Sequence, residues 1–169
     1  LARFLSSGPH SGFVSINATA GEGPAHLFSG RSIMSDNKGL MAGKRGLIMG
    51  VANNRSIAWG IAKACAAQGA ELAFTYQGDA LKKRVEPLAA ELGSRIVVPC
   101  DVTDMASMDA TFETIATEWG SLDFVVHAIA FSDKDELQGR YVDTSPENFT
   151  RTMFISVYSF TAVDRKSTR

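Results

Sequence analysis

Cysteine is scarce in this 169-residue chain, and an excess of positive charge is absent. The two cysteines, Cys65 and Cys100, form no C-x-x-C pair and have no metal-ligand spacing, which argues against a disulfide-stapled secreted scaffold and against a metal centre. Both are expected to be buried thiols. Lys and Arg number 17 against 18 Asp and Glu, a formal net charge of −1, so nothing draws a nucleic-acid backbone or an acidic membrane surface. No apolar run approaches the roughly 20 residues of a membrane span, and the start lacks a continuous signal-type hydrophobic segment. A cytoplasmic protein is expected. The tight G-x-G-x-x-G of common dinucleotide-binding turns is missing as well.

In its place stands Gly50-Val-Ala-Asn-Asn-Arg-Ser-Ile-Ala-Trp-Gly60, preceded by the apolar Leu47, Ile48 and Met49 and followed by a helical pattern. A strand, a glycine-started turn and a helix N-terminus are thereby predicted. Unpaired N–H groups and the positive dipole end at a helix start make an anion site, and small residues let a pyrophosphate approach the main chain. Ser56 is read as either the N-cap or a hydroxyl aimed at pyrophosphate, and Ala58 and Gly60 as residues that let helix pack tightly on strand. A valine at Gly50 is expected to block the pyrophosphate approach.

From Lys44 onward, apolar runs alternate with amphipathic helical patterns, the signature of β-α-β units. The predicted class is α/β: a Rossmann-type doubly wound parallel sheet in three αβα layers, with about four strands. Strands are expected at 46–50, 71–76, 95–99 and 122–127. The first helix is read with Ile57, Ile61, Cys65 and Gln68 on its inward face. Asp79 is expected to cap the second, whose inward face is Leu81, Val85, Leu88 and Leu92 and which Pro87 kinks; Asp104 caps the third, with Met108, Phe112, Ile115 and Trp119 inside. A last helix starts near Ser145-Pro146 and carries Phe149, Met153, Ile155 and Phe160, with Tyr158 packed in it.

The ends differ from the middle. Residues 1–33 hold Glu22 as their single acidic residue and show no sustained period. They read as a disordered leader, either an organelle transit peptide or translated sequence upstream of a start at Met34 or Met41. The domain expected is 41–163, preceded by a leader (1–40) and followed by a non-native tail (164–169) that interrupts the helical pattern at Asp164.

Ligands of a doubly wound sheet bind outside the carboxyl ends of its strands. Gln77 follows strand two, Asp101 follows strand three, and His127 to Ser132 follow strand four. Gln77 and Asp101 each have a structural alternative, as a turn residue and as a cap for backbone amides. Gln77 occupies the position at which an acidic residue usually accepts from the adenosine ribose. Its neutral amide favours NAD over NADP, while Lys82, Lys83 and Arg84 keep NADP open.

The runs Gly50-Val-Ala-x-x-x-Ser-Ile-Ala-x-Gly60, Ala70-Glu-Leu-Ala-Phe-Thr-Tyr-Gln77, Cys100-Asp-Val102, Val126-His-x-Ile129 and Tyr158-Ser-Phe160 together resemble the bacterial-type enoyl-acyl-carrier-protein reductases, NADH-dependent members of the short-chain dehydrogenase/reductase superfamily. The resemblance covers about residues 40–163. It departs from many relatives at Ala128, where they have Ser, and at Ala130, where they have Gly. It implies that Gly50, Ser56 and Ile57 line the dinucleotide pyrophosphate, Gln77 the adenosine side, Asp101 and Val102 the adenine and Ile129 the nicotinamide ribose. Ser132 would border the acyl substrate. Reduction of a trans-2 enoyl thioester on acyl carrier protein, with NADH as hydride donor and a homotetramer as the full-length assembly, is the activity implied.

The tyrosine and lysine of that chemistry are expected beyond the last helix, so no catalytic residue and no metal ligand is assigned within the 169 residues, and the chain by itself is expected to be inactive. Tyr76 and Lys83 reproduce a Tyr-x6-Lys spacing, but beside strand two. Two other functions stay open: an NAD-binding module without a reaction, and a short-chain reductase acting on a carbonyl.

Overall fold

A computed structural model describes residues 39–167. The expected leader, except Gly39 and Leu40, lies outside the described residues, as do Thr168 and Arg169. Four parallel strands, β1 (Arg45–Met49), β2 (Glu71–Tyr76), β3 (Ile96–Pro99) and β4 (Phe124–His127), form one sheet in the order β3-β2-β1-β4. Between them run α1 (Ile57–Ala67), α2 (Gly78–Glu91) and α3 (Met105–Trp119); after β4 come α4 (Pro146–Met153) and α5 (Ser159–Ser167). The doubly wound α/β expectation holds.

The central strand shows why. In β1 every residue from Gly46 to Met49 is buried, as a strand covered on both faces requires. Leu47 and Met49 pack with Met108, Ile115, Trp119, Ala162 and Val163 on the α3/α5 side. Ile48 points the other way, into Ala58, Trp59, Ala62, Phe74, Val85 and Ala89 on the α1/α2 side. The period-two alternation of one strand thus builds both cores and sets the three layers.

Several local expectations shift. On α1 the inward stripe is Ala58, Trp59 and Ala62, whereas Ile57 is 78% exposed. Ala58 packs on the sheet as read from the sequence, and Trp59 fills the space beside it against the Phe74 ring; the spacing that singled out Ile57 marked a residue that sits at the open end of the first turn. Gly60 faces empty space, so it has no tight packing to permit. Cys100 is buried but Cys65 only partly so.

α2 begins two residues earlier than its acidic signal suggested. Gly78 at φ +73 turns the chain directly out of β2, Gln77 takes the N-cap position, and Asp79 lies inside the first turn. The helix continues through Pro87, and its fully buried face is Val85 and Ala89, with Leu88 and Leu92 at the margin. On α3 Asp104 does cap, accepting from the Ala106 amide at 2.9 Å, and Met108, Ile115 and Trp119 are buried with Phe112 packed beside them.

The last helix is interrupted. Ser145 caps α4, accepting from the Asn148 amide at 3.1 Å, but a π-helical turn over Phe154–Tyr158 intervenes before α5. Tyr158 is 43% exposed against the Phe154 ring rather than packed inside. The helix also passes Asp164 without a break to Ser167, and Lys166 bonds Asp109 on α3. At the other edge, the Leu40 and Met41 amides donate to Gln68 at the end of α1.

Two substitutions check this frame by urea denaturation. Asp104→Ala removes a cap and lowers stability by about 1 kcal/mol. Ile57→Ala changes stability by less than about 0.5 kcal/mol, since the side chain lies outside the core; a loss near that of a core isoleucine would overturn the orientation of α1.

Candidate functional site

The strand order reverses between β1 and β4, and the carboxyl ends of these two strands run unusually close. The Ala128 amide donates to the Met49 carbonyl at 3.1 Å. Gly50 follows at φ +97, and a Cβ there would lie 2.1 Å from the Ala128 carbonyl oxygen. Glycine is therefore demanded by the neighbouring backbone before any ligand arrives. The expected pyrophosphate block by a Gly50 side chain gains a structural cause that acts first.

Outside these strand ends opens a cleft of about 410 Å³, within the range of small-molecule sites. Gly50, Gln77, Asp101, Val102 and Ile129 all line it. So do Thr75, Tyr76, Cys100, Thr103, Phe131 and Arg151, which were not assigned from sequence. The residues following β2, β3 and β4 were legible because each ends an apolar run. Phe131 belongs to the stretch His127 to Ser132 already placed at the end of strand four, whereas Arg151 arrives from α4 and no local pattern announces its return.

Three expected residues stand apart from the cleft lining. Ser56 Oγ accepts from the Ala52 and Asn53 amides, each at 3.0 Å. It makes no cap bond into α1; instead it folds the turn after Gly50 and leaves the first amides of the helix facing outward. Ile57 is exposed at that helix start. Ser132 exchanges hydrogen bonds with the buried Asn148 side chain, whose Oδ1 also accepts from the Asp133 amide at 2.9 Å.

Gln77 and Asp101 meet directly, the Gln77 amide nitrogen donating to an Asp101 carboxylate oxygen at 2.9 Å. Burial pushes the Asp101 pKa up, but the hydroxyl and amide of Thr103 and the Gln77 amide together hold it below the ordinary value. The carboxylate is thus kept charged at the mouth of β3. Cys100 beside it is pushed up by burial and further by the Asp101 charge, against a hydrogen bond with Thr111, which leaves a neutral thiol for packing. Among the described residues no group of three or more His, Cys, Asp or Glu gathers to hold a metal.

The excursion after β4 is clamped to the helices. Glu136 accepts from the amide and hydroxyl of Ser145 at 2.9 and 2.7 Å and from Asn148 at 3.2 Å. The π-helical turn carries Ser156, whose Oγ accepts from the Phe131 amide at 3.1 Å and donates to its carbonyl at 3.3 Å. His127 Nε2 lies 2.7 Å from the buried Ser159 Oγ, which donates to the Ile155 carbonyl; the imidazole therefore donates, as the Nε2–H tautomer. Burial lowers the His127 pKa below 6.5, opposed by a hydrogen bond with its own backbone.

The fit of a dinucleotide rests on three of these observations: a glycine at positive φ lining the cleft just after β1, an N-terminal turn of α1 left without a side-chain cap, and a polar pair at the ends of β2 and β3. Residues 50–169 match the family described as Enoyl-(Acyl carrier protein) reductase. The chain is 69% identical over 136 residues to the enoyl-acyl-carrier-protein reductase (NADH) 1 of Rhizobium meliloti, covering 80% of this chain and 50% of that protein. A crystal structure of the Anaplasma phagocytophilum reductase in complex with NAD superposes with a TM-score of 0.74 at 62% identity, over 76% of this chain and 49% of that one. The Bacillus cereus reductase, solved with NADP+ and an indole naphthyridinone, gives a TM-score of 0.74 at 46% identity, over 76% and 51%. The chain spans about half the length of the relatives it matches.

Two outcomes are expected. Gly50→Ala destabilises the fold by about 2 kcal/mol or more in urea denaturation, through the Ala128 contact and the positive φ; a stable variant that only loses nucleotide affinity would contradict this. For His127, the unfolded chain takes up a proton near pH 6.5 while the folded chain resists until lower pH. Its contribution is complete above that value and is lost as pH falls through the folded pKa. His127→Gln should therefore flatten the decline in stability between about pH 7 and about pH 5, and an unchanged slope would remove His127 as its source.

Proposed function

Because the chain belongs to the enoyl-(acyl carrier protein) reductase family, we propose that it forms the dinucleotide-binding part of an NADH-dependent enzyme that reduces the trans-2 double bond of an enoyl chain carried on acyl carrier protein. The observation that carries this reading is the cleft at the β1–β4 switch point, where Gly50, Gln77, Asp101, Val102 and Ile129 converge. The domain begins near residue 41 and includes α5 as far as Ser167, beyond the expected boundary at 163, and the whole enzyme is a cytoplasmic homotetramer. No helix among the described residues is long and apolar enough to cross a membrane.

Bound NADH supplies a hydride to the substrate alkene. The chain's own residues bind and orient. The amides after Gly50 and at the start of α1 hold the pyrophosphate, with Ser56 keeping that turn folded and Ile57 covering it. Gln77 meets the adenosine ribose, Asp101 and Val102 the adenine, and Ile129 the nicotinamide ribose. Ser132 borders the acyl chain from the clamped excursion. The tyrosine that would stabilise the developing enolate and the lysine that would fix the cofactor ribose are assigned, on the family resemblance, to sequence beyond α5.

The solved relatives include one with NAD and one with NADP+, so cofactor choice is argued from this chain. A 2′-phosphate beside Gln77 would face the Asp101 carboxylate 2.9 Å from the Gln77 amide. Lys82, the residue of the basic trio near Tyr76, lies over that ring and 3.8 Å from Glu86. Charge repulsion therefore favours NADH.

Fluorescence titration should give NADH an affinity at least about tenfold above NADPH, and Gln77→Arg should narrow the gap. Equal or tighter NADPH binding would overturn the cofactor assignment. With crotonyl thioester, a protein extended to the relatives' length should consume NADH absorbance, while the 169-residue chain binds NADH without turnover. Reduction of simple ketones instead of the enoyl thioester would favour a carbonyl reductase.

A further inference from the structure

Arg151 belongs to none of the motifs that suggested this site, yet it is the one cation among the described residues lining the cleft, as Asp101 is the one anion. It reaches there from α4, with its side chain 51% exposed. Two contacts hold the guanidinium. Asp133 receives its charge, and the Phe131 ring lies beneath it, 5.4 Å from Cζ to centroid. Both partners are themselves anchored, Phe131 by Ser156 and the Asp133 amide by Asn148.

Position along the cleft decides what Arg151 would meet. Thr103 lies with Arg151 both in the cleft and in the shallow groove adjoining it. The groove includes Thr103 and Arg151 but none of Gly50, Val51 and Ala52, which places Arg151 toward the β3 end of the cleft, the base side, more than toward the phosphate turn. Its chemistry points the same way. Asp133 already neutralises the charge that a phosphate would seek, whereas a planar guanidinium fixed on an aromatic ring offers a flat, weakly hydrated surface to a second flat partner at little further entropic cost.

We propose that Arg151 is a base-recognising residue of this cleft, stacking on the purine ring of the bound nucleotide, with Val102 and Ile155 as the apolar surroundings. This rests on the cleft being a nucleotide site, as proposed above.

Titration calorimetry on the 169-residue chain separates the two. AMP is the probe, and uridine monophosphate, with the same phosphate and ribose, is its control. Binding of AMP to the unaltered chain in preference to uridine monophosphate is expected. Arg151→Ala should weaken AMP by about tenfold and shrink that preference. Arg151→Lys should not restore it, because an ammonium lacks the plane, and Asp133→Asn should retain AMP affinity. Retention of AMP affinity within about twofold by Arg151→Ala overturns the inference while leaving the nucleotide site standing. Full rescue by lysine, which would mean a phosphate contact, also overturns it, as does an equal loss in Asp133→Asn, which would mean a loop lock. If the unaltered chain binds no AMP, the nucleotide reading falls and this inference with it.

Discussion

The close approach of β1 and β4 at their carboxyl ends is the constraint on which the rest of the molecule depends. Strand order turns there, so the connections after β1 and β4 leave in different directions and open a cleft between them. Keeping that point narrow requires a residue without a Cβ, since the Ala128 carbonyl occupies the space a side chain would need at Gly50. The demand for glycine at this position is therefore one of strand packing, made before any ligand is considered.

A second arrangement governs the far wall. The chain after β4 forms only short 3-10 turns, over Lys134–Leu137 and Tyr141–Asp143, and has little apolar surface of its own to bury. Its order comes from polar groups: Glu136 on Ser145, Asn148 on Ser132 and Asp133, Ser156 on Phe131. Buried Asn148 has both ends of its amide engaged, which offsets the cost of taking it out of water. The π-helical turn shifts the register of the last helix so that Ser156 faces the excursion and Ser159 faces His127. Such turns inside helices recur at functional sites.

Legibility of the site followed the sheet. Gln77 and Asp101 were found because polar residues at the end of an apolar run fall outside a parallel sheet's carboxyl edge, and the period-two pattern marks that edge; the role of Ile129 came from the family resemblance. Ser56 was read as the N-cap or as a hydroxyl aimed at pyrophosphate; it holds the N-cap position but makes no side-chain cap bond, and its partners, the Ala52 and Asn53 amides, depend on a backbone path that spacing does not reveal. Phe131 fell within the His127 to Ser132 stretch placed at the ligand end of strand four, but Arg151 and Ile155 were invisible as cleft residues. They lie about 50 positions beyond Asp101, and only the docking of the last helices returns them.

The α/β class, the four strands within a residue or two, the Asp104 cap, the helix start at Ser145-Pro146 and the polar strand ends were set by the sequence, because these are local: periodicity, capping and turn residues act over a few neighbours. The tertiary structure decided which face of α1 turns inward, where Ala58 and Trp59 pack on the sheet while Ile57 sits at the open end of the first turn. It also decided the π-helical break and the continuation of α5 through Asp164, where Lys166 meets Asp109 across 57 positions. And it made Gly50 a packing requirement, since Ala128 lies far off along the chain and only strand pairing brings its carbonyl there.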